Sequence, residues 1–362
     1  MKRKYIALLV LILSTTFATA QKLKPGFNKA EYIEMLRITS RHFDTAASIL
    51  KIPGPKDFAK AYRSPVMGLD NRWDLWTNGD GVGVISIRGT TANPVGWLEN
   101  FYAAMVPATG KIRVAADYEF SYSLSQNPKA AVHLGWLIGT AFLARDIVPK
   151  IDSCYKAGIK DFFIVGHSQG GALSYLITSH LRSIQQQKHL PADIQFKTYC
   201  SAGPKPGNLF YAYEYESITL GWAFNVVNSA DWVPETPISL QTVNDFNKTN
   251  AFVNARPFIK KQKFPAKLAL KHVYNQLEKP PRRAQRKYEK YLGGFLSKRV
   301  KKALPGYVTP AFVHSTDYVR TGAFVVLLAD PEYFTKFPDS KEKIFTHHLF
   351  EPYFYLADKL PD

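Results

Sequence analysis

Cysteine is scarce in this chain. Cys154 and Cys200 are the whole complement of 362 residues, too few for a disulfide framework. Cys154 falls on the helix leading into a buried strand. Cys200 ends the strand after that, toward the opposite edge of the sheet. Both are therefore expected to be free thiols. Long apolar runs are also missing. The run from Tyr5 to Leu13 is too short to cross a bilayer, and no cysteine follows it to carry a lipid anchor. There are no internal repeats and no low-complexity tracts, which excludes solenoids and arrays. Acids and histidines show no metal-ligand spacing, and neither metal nor cofactor is expected. Acidic residues are few, with 29 Asp and Glu against 47 Lys and Arg.

The start of the chain carries an export pattern. Lys2-Arg3-Lys4 precedes the apolar run, and Ala18-Thr19-Ala20 supplies an A-x-A cleavage signal. Cleavage after Ala20 is expected, leaving residues 21–362 as a single domain outside the cytoplasm, periplasmic or extracellular. Without Lys2, Arg3 and Lys4, 44 basic residues face 29 acids, a charge of +15. From Gln241 to Pro310, 17 Lys and Arg face only Asp245, Glu278 and Glu289, a net +14. A nearly neutral body thus carries a basic insertion at about 241–310. A block of that kind suits an anionic membrane or envelope surface. It would also attract nucleic-acid phosphate, but export argues against nucleic acid as a partner.

The rest of the chain can be arranged around residues 161–173, DFFIVGHSQGGAL. Phe162 to Val165 suit a strand buried on both faces. Ala172, Leu173, Tyr175, Leu176 and Ile177 open a helical pattern. Between them, Gly166-His167-Ser168-Gln169-Gly170 fits G-x-S-x-G, the nucleophile elbow. Its tight turn holds the serine in a strained conformation, and the glycines let strand and helix pass closely. Ser168 is the expected nucleophile, and the Gln169 N–H points where an oxyanion would form. His167, adjacent in sequence, cannot easily turn back on Ser168 and is expected to pack under the elbow.

Strands are expected at Trp73 to Thr77 and Val82 to Ile87, joined by Asn78-Gly79-Asp80-Gly81. Asn28-Lys29-Ala30-Glu31 is a capping signal for a helix. Asn93-Pro94 starts another, expected over Val95 to Val106. Its apolar face, Trp97, Leu98, Phe101 and Met105, is either a core face or a lid. A long helix is expected over Ala130 to Ile151. Strands follow at Ile194 to Cys200, Ala223 to Asn228 and Tyr318 to Leu328, then a helical segment from Phe345 to Leu356. Strands alternating with helices imply a mostly parallel central sheet with helices on both faces.

A poor nucleophile such as serine needs an imidazole, and the imidazole needs a carboxylate. Asp231 lies just past an apolar strand, where a loop can present it at the carboxyl edge of the sheet. Asp317 is the reserve. For the base, His272, His314, His347 and His348 remain open.

Several pieces together resemble the class 3 lipase family of α/β-hydrolases. They are Ile87-Arg88-Gly89-Thr90, Val132-His133-Leu134-Gly135, the elbow with Gly171, Ala202-Gly203-Pro204-Lys205-Pro206-Gly207-Asn208, and Val227-Asn228-Ser229-Ala230-Asp231-Trp232-Val233-Pro234. Lys205 stands where arginine is more usual. The resemblance implies an α/β-hydrolase that cleaves carboxylic esters through Ser168, Asp231 and a histidine. It implies Thr90 as the second oxyanion residue beside Gln169. It places a lid after the Arg-Gly motif, with Trp97 near its start. The family histidine is usually followed by a tyrosine five residues on, and Tyr353 selects His348 over His347. The substrate is expected to be a lipid ester, most simply an acylglycerol. A phospholipase A, another carboxylesterase, or a non-catalytic module binding an anionic surface are the alternatives. In the insertion, charges and aromatics recur at helical spacing from Arg282 to Lys302, as in an amphipathic arm. Arg282, Arg283, Arg286 and Lys287 are its candidate surface contacts. The plainer alternative is a solvated insertion whose apolar residues pack on the body.

Overall fold

The structure, a computed structural model, describes residues 21–43 and 52–361. The export segment lies outside the described residues. Helix α1 (Lys29–Ser40) starts at Asn28, whose Oδ1 accepts the Glu31 N–H at 2.9 Å. Strands β1 (Ala59–Arg63), β2 (Trp73–Thr77) and β3 (Val82–Ile87) follow. Next come α2 (Pro94–Phe101), β4 (Met105–Pro107), β5 (Thr109–Ala115), β6 (Tyr118–Ser123) and β7 (Ala131–His133). The central crossovers are α3 (Leu134–Lys156), β8 (Asp161–His167), α4 (Gln169–Gln186) and β9 (Gln195–Ser201). Then come β10 (Gly207–Asn208), α5 (Leu209–Ile218) and β11 (Ala223–Asn228). The insertion holds α6 (Ala255–Lys261), α7 (Ala266–Glu289), a π-helical turn (Lys290–Phe295) and α8 (Leu296–Ala303). The chain ends with β12 (Tyr318–Val319), β13 (Ala323–Leu327), α9 (Pro331–Lys336) and α10 (Phe350–Asp358).

The main sheet runs β1-β2-β3-β8-β9-β11-β13. From β3 to β13 every neighbouring pair is parallel, and β1 and β2 add an antiparallel edge. This is the mostly parallel sheet of an α/β-hydrolase. Both faces are covered, as parallel strands require. Along β8, Phe162 and Ile164 join one apolar core with α3 and α4. Phe163 and Val165 join another with α1 and α10. A second, four-stranded sheet, β12-β10-β7-β4, stands beside the first.

Several expected elements are shorter or split. The helix expected over Val95 to Val106 stops at Phe101. Met105 lies instead on β4, paired with His133 of β7 and 1% exposed, so it has no lid face. The helix expected from Ala130 begins at Leu134, because residues 131–133 serve that same pairing and His133 caps the helix. The strand expected over Tyr318 to Leu328 is two strands in two sheets, separated at Gly322, whose φ is +87°. The terminal segment is a short 3-10 turn, Thr346–His348, followed by α10. Cys154 and Cys200 are free and buried, as expected.

The insertion is rooted in the body. Val300, Leu304 and Tyr307 belong to the main core. A Cβ on Gly293 would stand 2.9 Å from Ala104 Cβ and 2.8 Å from the Phe312 ring. Further out the chain is largely exposed. Helix α6 buries no residue and α7 buries only Glu278 and Gln285. The helical arm expected from Arg282 to Lys302 is present and extends back to Ala266. Among the described residues no helix is long and apolar enough to cross a membrane.

Candidate active site

Strand β8 delivers Ser168 at the carboxyl end of the sheet. Its backbone has φ +64° and ψ −128°, outside the ordinary regions for an L-residue. Two glycines make that turn possible. A Cβ on Gly166 would lie 2.2 Å from the Gly170 carbonyl, and one on Gly170 would lie 2.3 Å from the Ile87 carbonyl. Ser168 N–H is held by the Ser201 carbonyl at 3.0 Å. Gln169 is the first residue of α4, so its N–H has no acceptor within the helix.

Asp231 sits past β11, as expected, and is buried. Its Oδ1 accepts the Val233 N–H at 3.0 Å. Its Oδ2 accepts both the Tyr353 hydroxyl and His348 Nδ1, each at 2.7 Å. Burial alone would raise the Asp231 pKa. The His348 hydrogen bond and charge, with the Val233 and Tyr353 bonds, outweigh it and hold the group below the usual carboxylate value. The carboxylate fixes the His348 tautomer: Nδ1 carries the proton and Nε2 is the lone pair. That Nε2 is buried and makes no hydrogen bond among the described residues.

The other candidate histidines lie elsewhere. His347 uses both ring nitrogens, Nδ1 with the Tyr333 hydroxyl at 2.8 Å and Nε2 with Asp339 at 3.0 Å. Its carbonyl accepts from Asn228 Nδ2 at 2.9 Å. His314 is exposed and paired with Glu289. His272 lies exposed on α7. Asp317 accepts from Ser239 and Gln241, away from all of these. His167 packs beneath the elbow, as expected. Its Nε2 donates to the His348 carbonyl at 2.7 Å, and Nδ1 meets Ser201 Oγ at 3.0 Å. Burial, with the nearby His348 charge, brings its pKa down to about 3, so it is a neutral strut that carries the His348 backbone.

On the other side of Ser168, Thr90 follows the Arg88-Gly89 turn. Arg88 anchors that turn on Asp70, donating to its carbonyl at 2.6 Å and pairing with its carboxylate. Thr90 Oγ1 donates to Gln169 Oε1 at 3.2 Å and accepts from Asn100 Nδ2 at 2.8 Å. Asn100 is itself held by Trp136 Nε1 at 3.0 Å. The two expected oxyanion residues are thus tied together, and both are tied to α2. Sequence reasoning missed Asn100, Asn228 and Trp136, whose partners are distant in the chain.

The expected lid residues divide. Phe101 is exposed, Trp97 and Leu98 are half-buried, and Met105 is in the core. Trp97 stacks on Phe101 at 5.9 Å and meets Phe345 at 6.1 Å. Phe345 in turn contacts Trp232 at 5.4 Å and the His348 ring at 6.0 Å. These aromatics form an apolar rim beside His348. The inner side of α2 is fastened. Glu99 is fully buried, accepts from Asn71 Nδ2 at 2.7 Å, and is pushed by burial well above the usual carboxylate range. A rigid swing of α2 would expose Glu99 and pull Asn100 from Thr90. Gly135 is the seat of this contact. A Cβ there would fall 1.9 Å from the Glu99 carbonyl oxygen. Gly135→Ala is expected to destabilise the fold by about 3 kcal/mol, the upper end for overpacking. Thermal unfolding checks this, and an unchanged Tm would show that α2 is not seated on α3.

The class 3 lipase family matches residues 84–241. Among solved structures, a fungal lipase–inhibitor complex is 16% identical, covering 58% of this chain and 74% of that one, with a TM-score of 0.44. A Rhizomucor miehei lipase propeptide complex is 17% identical, with 59% and 65% covered and a TM-score of 0.42. Lipase II from Rhizopus niveus is 17% identical, with 58% and 74% covered and a TM-score of 0.41. No curated protein matches the sequence. Residues 84–241 hold most of β3, the Arg88-Gly89-Thr90 turn, the elbow and Asp231, so the similarity to the class 3 lipase family spans these parts of the site.

Proposed function

We propose that Ser168, His348 and Asp231 act as a triad that cleaves carboxylic esters of lipids, acylglycerols first among them. The observation that carries this is the free, buried Nε2 of His348, opposite an Nδ1 bound to Asp231. Nε2 takes the Ser168 proton as Oγ attacks the ester carbonyl carbon. The carbonyl oxygen, now negative, is held by the N–H groups of Gln169 and Thr90. The tetrahedral species collapses to an acyl-serine, and the leaving alcohol takes the proton from His348. Water, deprotonated by the same Nε2, attacks the acyl-serine. The acid leaves and Ser168 is restored. The Thr90 hydroxyl is already donated to Gln169, so its backbone N–H is the oxyanion donor in this arrangement.

The rim of Trp97, Phe101, Phe345 and Trp232 supports an acyl chain as the substrate portion next to the triad. The pattern of residues 1–20 supports export to the periplasm or outside the cell. The charge of the insertion supports an anionic membrane or envelope as the place of action. A fluorophosphonate probe, followed by p-nitrophenyl esters of rising chain length with triolein and phosphatidylcholine, tests this reading. Labelling at Ser168 and turnover that rises with chain length are expected. An unlabelled, inactive protein would leave a binding module on a hydrolase scaffold. Preference for phosphatidylcholine over triolein would move the substrate to phospholipid.

A further inference from the structure

The outer end of the insertion, residues 251–277, is made of α6 and the first half of α7. Val253, Phe258, Phe264, Leu268, Val273 and Leu277 are each more than half exposed there, Phe264 at 80%. An open groove of about 420 Å³ runs between the two helices, lined by Phe252, Phe258, Ile259, Leu270, Val273 and Leu277. Scattered single apolar residues on a surface need no explanation, but a contiguous set does. The same 27 residues hold Arg256, Lys260, Lys261, Lys263, Lys267 and Lys271 and not one Asp or Glu. The acid that bounds the patch, Glu278, is buried and already engaged by Arg256 and Arg282.

Those two features narrow the occupant. Water leaves the apolar set unpaired. A second copy of the chain would bring the same six cations against these six. An anionic phospholipid surface offers apolar depth and opposite charge together, which is how an interfacial amphipathic element binds. We propose that residues 251–277 enter the interfacial layer of an anionic phospholipid membrane and hold the enzyme there. This inference rests on the lipid-ester reading of the active site for its purpose, although docking itself requires no turnover. It also moves the contact. Of the candidates drawn from the sequence, Arg282 is committed to Glu278 at 2.8 Å and to Asn244 at 3.0 Å. Arg283, Arg286 and Lys287 lie further down α7, beside the buried Gln285.

Flotation of the full chain with phosphatidylglycerol-containing and pure phosphatidylcholine vesicles tests the proposal. Binding to the anionic vesicles is expected to be at least about tenfold tighter and to weaken with salt. Phe258→Ser, Phe264→Ser and Leu268→Ser combined should lower it about tenfold. Lys260→Gln, Lys261→Gln, Lys263→Gln and Lys267→Gln combined should do the same and flatten the salt dependence. Arg283→Gln, Arg286→Gln and Lys287→Gln combined should change it less than about twofold. All these residues are exposed, so folding should survive, and p-nitrophenyl butyrate hydrolysis should stay at the wild-type rate. Phe264→Trp gives a direct readout, a blue-shifted emission quenched by brominated lipid only when the vesicles are anionic. Tip variants that bind like wild type overturn the proposal. So does a wild-type dimer that the Phe258, Phe264 and Leu268 changes dissolve, which would make the occupant a second copy. A wild type that floats with anionic vesicles but leaves p-nitrophenyl butyrate intact would support docking while removing the hydrolase reading.

Discussion

Ser168→Ala is expected to lower ester hydrolysis by roughly 10⁴- to 10⁶-fold while leaving thermal unfolding close to wild type. The size follows from the chemistry. Without Oγ no acyl-enzyme can form, and what remains is a water attack aided only by the oxyanion donors and by substrate binding. The small effect on stability follows from the geometry. Ser168 is only half-buried, and the fold holds it through its backbone N–H and through the glycines around it, not through its side chain. Alanine at φ +64° carries the strain that serine already carries. Fluorophosphonate labelling must disappear in the same variant. A folded Ser168→Ala protein with wild-type turnover would place the nucleophile elsewhere and remove the reading built on the elbow.

The parts legible in the sequence were those whose local pattern and tertiary role agree. Strands β2, β3 and β11 fall on the expected residues because their apolar runs are short and bounded by turn residues. Ser168 and Asp231 could be placed because each sits at the end of such a run. Apolar spacing misled where a short segment found a distant partner. Met105 continues the helical face of Trp97, Leu98 and Phe101, yet residues 105–107 pair with residues 131–133. Both ends of that pairing read as helix in the sequence, since a three-residue strand has no periodicity of its own. The buttress of the Thr90 turn is hidden for a similar reason. Asn100 is an ordinary polar residue until the fold sets Trp136 and Thr90 on either side of it. The apolar tip of the insertion was visible only as apolar residues among lysines. That no described residue covers them is a fact of the fold, in which α6 buries no residue and α7 only Glu278 and Gln285.

His348→Ala should match Ser168→Ala in severity, about 10⁴-fold or more, and His347→Ala should cost far less. The sequence distinguishes these neighbours only by the tyrosine five residues after His348. The structure supplies the physical reason for that spacing. Tyr353 stands on the first turn of α10, and its hydroxyl donates to Asp231 Oδ2, the oxygen that also accepts from His348 Nδ1. Histidine and tyrosine converge on one carboxylate oxygen, which the shift of a single residue would prevent. His347 points the other way, to Tyr333 and Asp339, and both its nitrogens are spent. Its loss should act through the loop that carries His348, lowering stability and, modestly, turnover. Asp231→Asn should approach His348→Ala, because an amide facing Nδ1 can turn its own N–H toward the ring and favour the wrong tautomer, leaving Nε2 protonated. Tyr353→Phe should be milder, since it removes one of three hydrogen bonds to Asp231. The depressed pKa of Asp231 sets the sign of the pH effect. The stability it contributes is present above the unfolded carboxylate pKa and is lost as pH falls through the folded value. In Tyr353→Phe that folded value rises toward the ordinary one, so the acid limb of both stability and turnover should move to higher pH. Steady-state kinetics and thermal unfolding across the acid range measure all four variants. A mild His348→Ala beside a dead His347→Ala would transfer the base to His347, and two mild variants would leave the triad without its histidine.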